Sequence, residues 1–435
     1  MSQKAAHRFN VAFFLMSLVM IVGGSISISY ATNGYLPQGY GTTNNGLAGA
    51  GVAFPQDTLA AATNPAGMAS LGNRYDAGIS FFNPNRQFTV TGNPSGAPGT
   101  FGLPPGTFGS DTRLFIIPSF GANWSLNNES SIGLSIYGQG GMNTDYNTTT
   151  TPPSPFGHTP TGVDLSQLFI VPTYATKLFS NHSIGISPVL AYQRFEAKGL
   201  QAFAPYSSNP ADLTNNGHAD SYGYGAKIGY LGKILPQLNI GASYHSRTYM
   251  TKFSDYAGLF SGQGAFDIPS SWDAGLSYQV VPSLTFLFDV QQINYSEVKS
   301  IANPLLPNLQ PGTLGNDNGA GFGWRDMTIY KLGVQWQSSE EWIWRAGYSA
   351  GNQPIPNSEM LFNIIAPGVI QQHAAVGFTK SLPNHQAFNF ALVRAFSNSV
   401  SGPNTLEAPG QQNIELKMDE WEADFSYSWN LPGSI

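Results

Sequence analysis

Hydrophobic and polar residues alternate with a period of two from about residue 74 onward, in bursts separated by turn residues. Around residue 285, Leu284 and Phe286 fall on one face and Thr285 on the other. This period is typical of strands that are apolar on one face only. Each burst is long enough to cross a bilayer, which takes about 9–11 tilted residues. The pattern predicts fourteen strands, at residues 74–91, 113–126, 130–142, 167–179, 183–196, 220–233, 236–253, 268–280, 283–296, 324–338, 340–350, 370–381, 385–397 and 413–430.

The connections between these strands alternate between short and long. The short ones lie near residues 127–129, 181–182, 235–236, 281–282, 339–340 and 383–384. The long ones lie near residues 92–112, 143–166, 197–219, 254–267, 297–323, 351–369 and 398–412. Short turns on one side and long loops on the other are typical of outer-membrane barrels with both termini in the periplasm.

Composition separates a membrane barrel from a soluble β-protein. Charged residues make up 10% of the chain, against about 25% in soluble domains. A soluble sandwich or propeller would place polar residues outside, whereas here the more apolar and aromatic face recurs on nearly every strand. A closed barrel also satisfies all backbone hydrogen bonds in lipid. The predicted fold is therefore all-β, a 14-stranded antiparallel transmembrane β-barrel that covers residues 74–435.

Residues 1–31 resemble a secretory signal peptide. Lys4 and Arg8 precede an apolar stretch at residues 9–24, and Ser29 and Ala31 are small residues suited to cleavage. The alternative is a membrane anchor, but the apolar stretch is short. We expect this segment to be removed on export.

Residues 32–73 are rich in glycine and alanine and do not alternate. Asp57 is a predicted N-cap for a short helix that runs to Ala62, and Asn64 is a predicted cap for a second helix with Pro65 at its first position. No strand precedes the glycines and no Lys-Ser/Thr pair follows them, so a nucleotide-binding loop is not indicated. Small residues suit a compact hatch packed inside the barrel lumen.

Several kinds of chemistry are not indicated. The chain has no cysteine, which excludes disulfides and thiolate sites. Its net charge of −6 argues against a nucleic-acid partner. No Gly-x-Ser-x-Gly elbow and no clustered ligand set is present. We therefore expect no enzymatic activity, no metal and no cofactor.

The strand alternation places charged side chains in the lumen. The predicted inward acids are Asp76, Asp273, Asp289, Glu422 and Asp424. The predicted inward cations, which are candidates for ligand binding, are Lys227, His245, Arg247, Lys331 and Arg345. One or two of these cations could hold a carboxylate headgroup. The alternative is that they pair with luminal acids or hold the hatch.

Sequence motifs along most of the chain resemble the long-chain fatty acid transporter (FadL-like) family, which includes toluene transporters. The motifs lie at residues 46–53, at Asp57, at residues 64–68 (Asn-Pro-Ala-Gly-Met), and at residues 115–120, 132–134, 136–146, 323–326, 332–334 and 344–348. The resemblance implies a 14-stranded barrel with an N-terminal hatch. It also implies ligand capture by outer loops, a luminal pocket and a lateral exit at a kink in the third strand.

Two departures from the family pattern concern the C-terminus and the capture loops. The chain continues past Trp429 to Ile435 instead of ending on an aromatic residue. The third and fourth outer loops are modest in apolar content. Their candidate capture residues are Leu200, Phe203, Tyr206, Leu259, Phe260 and Phe266.

The third predicted strand contains Gly138, Gly140 and Gly141. Glycines weaken a ladder and mark bends or bulges, so they suit a lateral exit; the alternative is an ordinary glycine-rich strand.

The predicted function is passive uptake of hydrophobic small molecules across the outer membrane of a Gram-negative bacterium. Partners would be fatty acids or aromatic hydrocarbons, together with outer-membrane lipid and lipopolysaccharide, and the family resemblance suggests a monomer. The luminal cations favour an anionic amphiphile slightly. The alternatives are a general porin for polar solutes and a surface adhesin.

Overall fold

The computed structural model describes residues 33–147, 156, 160–179 and 181–431. The predicted signal peptide, residues 1–31, lies outside the described residues. Fourteen long strands follow the N-terminal segment: β1 Arg74–Thr91, β2 Phe115–Ser125, β3 Ser130–Tyr146, β4 Thr161–Phe179, β5 His182–Lys198, β6 Ala219–Leu235, β7 Leu238–His245, β8 Ser271–Val281, β9 Leu284–Ile293, β10 Met327–Gln337, β11 Trp342–Gly351, β12 Gln372–Leu382, β13 Gln386–Pro403 and β14 Asn413–Asn430.

These strands form a closed antiparallel barrel. Each strand pairs with its neighbour in sequence, and β1 pairs with β14 from Arg74↔Asn430 to Thr91↔Asn413. Because the barrel closes, most of its wall has no free sheet edge. Backbone N–H and C=O groups at such an edge would have no hydrogen-bond partners in the hydrocarbon of the membrane. The predicted 14-stranded barrel is confirmed.

Side chains alternate between lipid and lumen as the sequence predicts. On β5, Ile184 and Ile186 are exposed on the outer face, whereas Ser183 and Ser187 are buried on the inner face. The connections also alternate: the β6–β7 turn contains residues 236–237, whereas the β9–β10 loop contains residues 294–326. The long loops therefore lie together at the end opposite to the termini.

Several strand ends differ from the prediction. β3, β4 and β13 extend further into the outer region, whereas β7 ends at His245 instead of continuing to residue 253. After β7, Thr248 bridges to Ile268 and the Asp267 carboxylate accepts a hydrogen bond from Met250 N. These contacts draw the segment towards the outer loops. Two short strands, Gly106–Gly109 and Tyr249–Met250, pair with the outer parts of β1 and β6.

The N-terminal segment forms a hatch inside the barrel. Its elements are α1 Thr42–Asn45, α2 Ala60–Thr63 and a 3-10 helix at Pro65–Ser70. Most of its side chains are buried, including Leu47, Val52 and Met68. The predicted hatch is thus present, and the first barrel strand follows it at Arg74.

The outer loops carry short helical segments. These are 3-10 helices at Gln201–Tyr206, Pro210–Asp212, Ser254–Tyr256, Tyr295–Glu297 and Asn357–Glu359, a single turn at Ser261–Gly264, and the helices α3 Lys299–Ala302 and α4 Met360–Asn363. In the described part of the chain, no helix combines the length and the apolarity needed to span a membrane. Side chains of the hatch, loops and inner wall share one large hydrophobic core.

A belt of inward-facing glycines lets backbone and side-chain atoms of the hatch touch the wall. A Cβ added at Gly185 would lie 2.3 Å from the Pro65 carbonyl carbon, and one added at Gly347 would lie 2.1 Å from that of Leu47. Such distances are too short for any side chain. We call these positions the glycine belt, and they comprise Gly121, Gly133, Gly185, Gly229, Gly241 and Gly347.

Replacement of a belt glycine is expected to displace the hatch and leave the barrel intact. In Gly347→Val, the new side chain would overlap the Leu47 backbone, and overpacking of this kind costs about 1–3 kcal/mol. Limited proteolysis of the folded protein should then cut the hatch faster than in the wild type. Ala346→Val makes a similar change on the outer face of the same strand and serves as the control. Equal cleavage of the hatch in both variants would contradict this role of the belt.

Candidate functional site

The outer loops close over the lumen with apolar side chains. The six residues predicted to capture ligand are all buried or partly buried: Leu200, Phe203, Tyr206, Leu259, Phe260 and Phe266. They are not an exposed surface patch, because the loops fold back over the lumen. The Phe260 ring centroid lies 4.7 Å from those of both Phe195 and Phe266.

A small cavity lies among these loops. We call it the loop chamber, and its lining includes Leu200, Phe203, Leu259, Phe260, Phe322 and Phe362. Its volume is about 30 Å³, close to the share of one water molecule in the liquid. A hydrophobic ligand can therefore occupy the chamber only when the loops separate.

An aromatic column connects the loop chamber with the hatch. It consists of Phe266 and Tyr295 from the loops, Trp324 before β10, and Tyr35 of the hatch. The Tyr35 ring centroid lies 6.1 Å from Phe266, 5.4 Å from Tyr295 and 6.0 Å from Trp324. Tyr35 is thus the hatch residue that the column reaches.

The barrel wall is interrupted between β2 and β3. Their pairing runs from Ser125↔Ser131 only as far as Phe120↔Ile136. Beyond that point β2 still pairs with β1 up to Phe115, and β3 pairs only with β4. We call the unpaired region, between residues 115–119 and 137–146, the β2–β3 gap.

A bulge bends β3 inward at this gap. The β3–β4 register shifts between Gly138 and Gly140, so that Gln139 is the extra residue. All residues from 137 to 144 are buried, whereas a strand within the wall would expose every second one. The bulge lies among Gly138, Gly140 and Gly141, the glycines of the predicted kink.

The hatch occupies the free edge of the bent strand. Gly141 N donates a hydrogen bond to the Tyr35 carbonyl at 3.0 Å. A Cβ added at Gly140 would lie 2.5 Å from the same carbonyl oxygen, so only glycine allows this approach. The residue whose ring meets the aromatic column therefore also closes the gap with its backbone.

Arg86 holds the outer part of the bent strand, and the sequence analysis did not select it. Its guanidinium donates to the carbonyls of Asn143 in β3 and Thr112 in the preceding loop, and lies 5.5 Å from the Phe115 ring centroid. The alternation of side chains along β1 places Arg86 on the same buried, inward face as Phe88. This alternation could have identified Arg86 from the sequence.

Three of the predicted luminal cations donate hydrogen bonds to the hatch. Lys227 Nζ lies 2.6 Å from the Ala62 carbonyl oxygen, and Lys331 Nζ lies 2.9 Å from that of Gln38. Arg345 Nη2 donates to Gln56 Oε1 at 2.6 Å. None of the three has a carboxylate within ion-pair distance in the described part of the chain.

The remaining two cations are placed differently. His245 is buried at the end of β7, where its Nε2 lies 3.2 Å from Thr248 Oγ1. Arg247 was predicted to face the lumen from a strand, but this is wrong: it lies beyond the end of β7 and forms an ion pair with Asp267 at 2.7 Å. The reason is that the chain leaves the sheet after His245, before it reaches Arg247.

The predicted hatch residues Asn64 and Pro65 form a helix start. Asn64 Oδ1 accepts a hydrogen bond from Ala66 N at 3.1 Å, and Pro65 is the first residue of the 3-10 helix. Asn64 Nδ2 also donates to the Val52 and Tyr230 carbonyls, at 2.7 and 2.9 Å. Asn64 therefore caps the helix as predicted and also ties the hatch to β6.

Asp57 is not the N-cap of a helix, because α2 begins only at Ala60. Its carboxylate instead accepts hydrogen bonds from Leu59 N at 2.9 Å and from the Thr43 hydroxyl. The Arg74–Asp76 ion pair, 2.6 Å long, lies close by. Asp57 thus joins two parts of the hatch next to the start of β1.

Hatch packing is expected to weaken as the pH rises through the range in which Asp57 ionises. Burial, with the Asp76 carboxylate nearby, raises the pKa of Asp57 to about 6, against about 3.9 for a free aspartate. Between about pH 4 and 6, Asp57 keeps its proton in the packed hatch but loses it when the hatch is released. The packed state therefore becomes less stable, relative to the released state, as the pH rises through this range. Hydrogen exchange of the hatch, corrected for intrinsic rates, should show less protection at pH 7 than at pH 4.5.

Asp57→Asn is the matched control, since it keeps the size of the side chain and removes the charge. This variant should lose the part of the pH dependence between pH 4 and 7. An unchanged pH profile in Asp57→Asn would show that another group is responsible.

The comparisons with known proteins agree with this architecture. The sequence profile described as "Outer membrane protein transport protein (OMPP1/FadL/TodX)" matches residues 24–412. A comparison with curated proteins gives no match.

Several solved structures share the fold. A Pseudomonas aeruginosa FadL homologue has a TM-score of 0.68 and 16% identity, over 91% of this chain and 99% of its own. The P. putida toluene transporter TodX has a TM-score of 0.65 and 15% identity, over 91% and 99%. The Ralstonia pickettii toluene transporter TbuX has a TM-score of 0.60 and 14% identity, over the same shares.

The profile match covers most of the chain. The chain therefore belongs to the outer membrane protein transport protein (OMPP1/FadL/TodX) family, which makes it a transporter of hydrophobic compounds in the outer membrane of a Gram-negative bacterium and not an enzyme.

Proposed function

We propose that the protein takes up neutral hydrophobic molecules, of the size and character of aromatic hydrocarbons, and releases them sideways into the outer membrane. The molecules are captured in the loop chamber, pass along the aromatic column and leave through the β2–β3 gap. The observation that carries this proposal is the gap itself, a stretch of wall in which β2 and β3 do not pair and against which the Tyr35 carbonyl of the hatch lies. Transport follows the concentration gradient and uses no other energy source.

The surroundings of the gap suit an apolar cargo. Phe82, Phe115 and Ile117 form a buried cluster on the inner side of β1 and β2. On the outer side the gap faces hydrocarbon, in which a hydrophobic molecule is more stable than in water. A lateral exit therefore keeps the cargo out of water for the whole path.

Tyr35 is the link between capture and release in this mechanism. A molecule that enters the aromatic column competes with Tyr35 for the ring contacts that hold it. Displacement of Tyr35 also breaks the hydrogen bond from Gly141 N. Cargo in the column thus opens the gap.

Three luminal cations already donate hydrogen bonds to the hatch, and this favours a neutral cargo over an anionic amphiphile. A carboxylate headgroup could bind Lys227, Lys331 or Arg345 only by displacing hydrogen bonds to the hatch. The loop chamber offers no charged side chain in its place. That two of the structural relatives are toluene transporters agrees with this assignment.

A general porin or an adhesin fits the lumen less well. The loop chamber holds about 30 Å³, and two further cavities beside the hatch hold about 20 and 10 Å³. None of these passes a hydrated solute.

Removal of the β3 bulge is expected to abolish uptake. Deletion of Gln139 restores a continuous β3–β4 register, straightens the strand and lets β2 pair with it beyond Phe120. Cells that lack other hydrocarbon channels should then take up labelled toluene at the background rate.

The matched control is Gln139→Ala, which keeps the bulge and removes only the hydrogen bond from the Tyr40 hydroxyl. It should retain most of the uptake. If the deletion variant is folded, judged by its heat-modifiable migration in gels, and still transports at the rate of Gln139→Ala, the lateral exit is wrong.

Replacement of Lys227 tests the charge of the cargo. Lys227→Met removes the hydrogen bonds to Ala62 and Tyr137 and loosens the hatch. Because this effect does not depend on a headgroup, uptake of a long-chain fatty acid and of its methyl ester should change by the same factor. A selective loss of fatty acid uptake would instead identify Lys227 as a carboxylate ligand.

A further inference from the structure

The first and last outer loops carry almost no charge. The first follows β1 and includes residues 92–105, and the last joins β13 to β14 and includes residues 404–412. Glu407 is the one charged residue of these two segments, and the first segment is rich in proline and glycine. Neither segment contains a residue that the sequence analysis selected for ligand capture. We call the two segments together the lid.

Hydrogen bonds join the two segments of the lid into one unit. Phe101 N donates to the Leu406 carbonyl at 2.7 Å. The Leu103 backbone exchanges two hydrogen bonds with the Gln412 side chain, at 2.9 and 2.6 Å. In the part of the chain that the structure describes, no hydrogen bond joins the lid to another outer loop. Separation of the lid from the loops beneath it therefore breaks apolar contacts and leaves the lid itself intact.

The lid rests on the loop chamber through Phe101. The Phe101 ring stacks on the Phe203 ring, with centroids 5.1 Å apart and an interplanar angle of 25°. Phe203 lines the chamber and is 2% exposed, whereas Phe101 is only partly buried. Leu103 and Leu406 pack against the same hydrophobic core. Phe101 thus lies between Phe203 and solvent.

We propose that the lid is the entrance to the loop chamber, and that an aromatic cargo enters when its ring replaces Phe101 on Phe203. This inference rests on the proposed uptake of aromatic hydrocarbons and assigns the loops that separate to admit them. The third and fourth outer loops, which carry the predicted capture residues, then form the floor of the site. The first and last outer loops form its cover.

Apolar contacts keep the lid closed when no cargo is present. Lifting the lid exposes the rings of Phe101 and Phe203 to water, which the hydrophobic effect disfavours. A cargo ring that stacks on Phe203 restores one of these contacts, and stacked aromatic pairs are favourable beyond the area that they bury. A polar solute gains nothing from Phe203. The lid therefore admits molecules with an aromatic ring in preference to polar solutes.

Equilibrium binding of labelled toluene to the purified full chain in detergent tests the lid independently of the exit. Phe101→Ala removes the competing ring, so a larger fraction of the protein is open, and the apparent affinity rises with that fraction. The Kd should fall by about two- to tenfold, the factor that corresponds to loss of one aromatic pair. The matched control Phe108→Ala removes a ring of the same outer loop that stacks on Phe88, and it should leave the Kd unchanged.

A reversible cross-link gives a second test, which is possible because the chain has no cysteine. In the double variant Phe101→Cys, Phe203→Cys, a short bis-thiosulfonate reagent joins the lid to the chamber. Binding should weaken by about tenfold or more, since the open state is removed, and a reductant should restore it. Phe203→Cys alone, treated with the same reagent, cannot be cross-linked and should bind more tightly than the cross-linked protein. Heat-modifiable migration shows that each variant is folded.

An unchanged Kd in Phe101→Ala, or equal binding before and after reduction of the cross-link, would overturn the lid. These results differ from those expected if the proposed function fails. If only the lid is wrong, the wild type still binds toluene, and deletion of Gln139 still abolishes uptake. If the wild type neither binds toluene nor takes it up, the proposed function is wrong and the lid is wrong with it.

Discussion

Direct contact between the hatch backbone and the barrel wall is the constraint on which the rest of the structure depends. At Gly121, Gly185 and Gly347 the inner wall has no side chain, and hatch atoms fill the space that a Cβ would take. The hatch is polar along its main chain, so its buried groups need partners. Lys227 and Lys331 donate to hatch carbonyls from the wall, and Arg345 donates to the side-chain oxygen of Gln56.

This packing determines where a cargo can go. With the hatch seated on the wall, the cavities around it hold about one water molecule each, and a straight path to the periplasm would require the whole hatch to move. The β2–β3 gap needs less, because the Tyr35 carbonyl is the hatch group that accepts from Gly141 N there, whereas Arg86 and the hydrogen bond from Asp111 N to the Asp145 carbonyl hold only its outer end. We therefore favour a sideways exit on the ground that it disturbs the fewest interactions.

The residues that bend β3 and those that hold the bend come from distant parts of the chain. The bulge at Gln139 turns the strand inward, the Tyr35 carbonyl accepts from its free edge, and Arg86 holds it further out at Asn143. Each of these groups is buried, so loss of one leaves polar backbone without a partner. The gap is a stable part of the fold and not a frayed edge.

The sequence predicted the barrel well because the alternation of side chains is a local property. It placed the strands, the long and short connections and the cap at Asn64 correctly. It could not show that Arg247 leaves the sheet, since that depends on contacts with Asp267 and Ile268, 20 residues further along the same loop. It also could not show that Phe203 and Phe260 face inward, or that the luminal lysines reach the hatch, because these contacts join residues far apart in the chain.

The most direct test of the sideways exit is a crystal structure with a brominated alkylbenzene, whose bromine is located by anomalous scattering. The account predicts bromine in the loop chamber and at the β2–β3 gap near Phe82 and Ile117, with the Tyr35 carbonyl moved away from Gly141 wherever the gap is occupied. Bromine on a path through the hatch towards the periplasm, with the bond between Gly141 and Tyr35 intact, would contradict it.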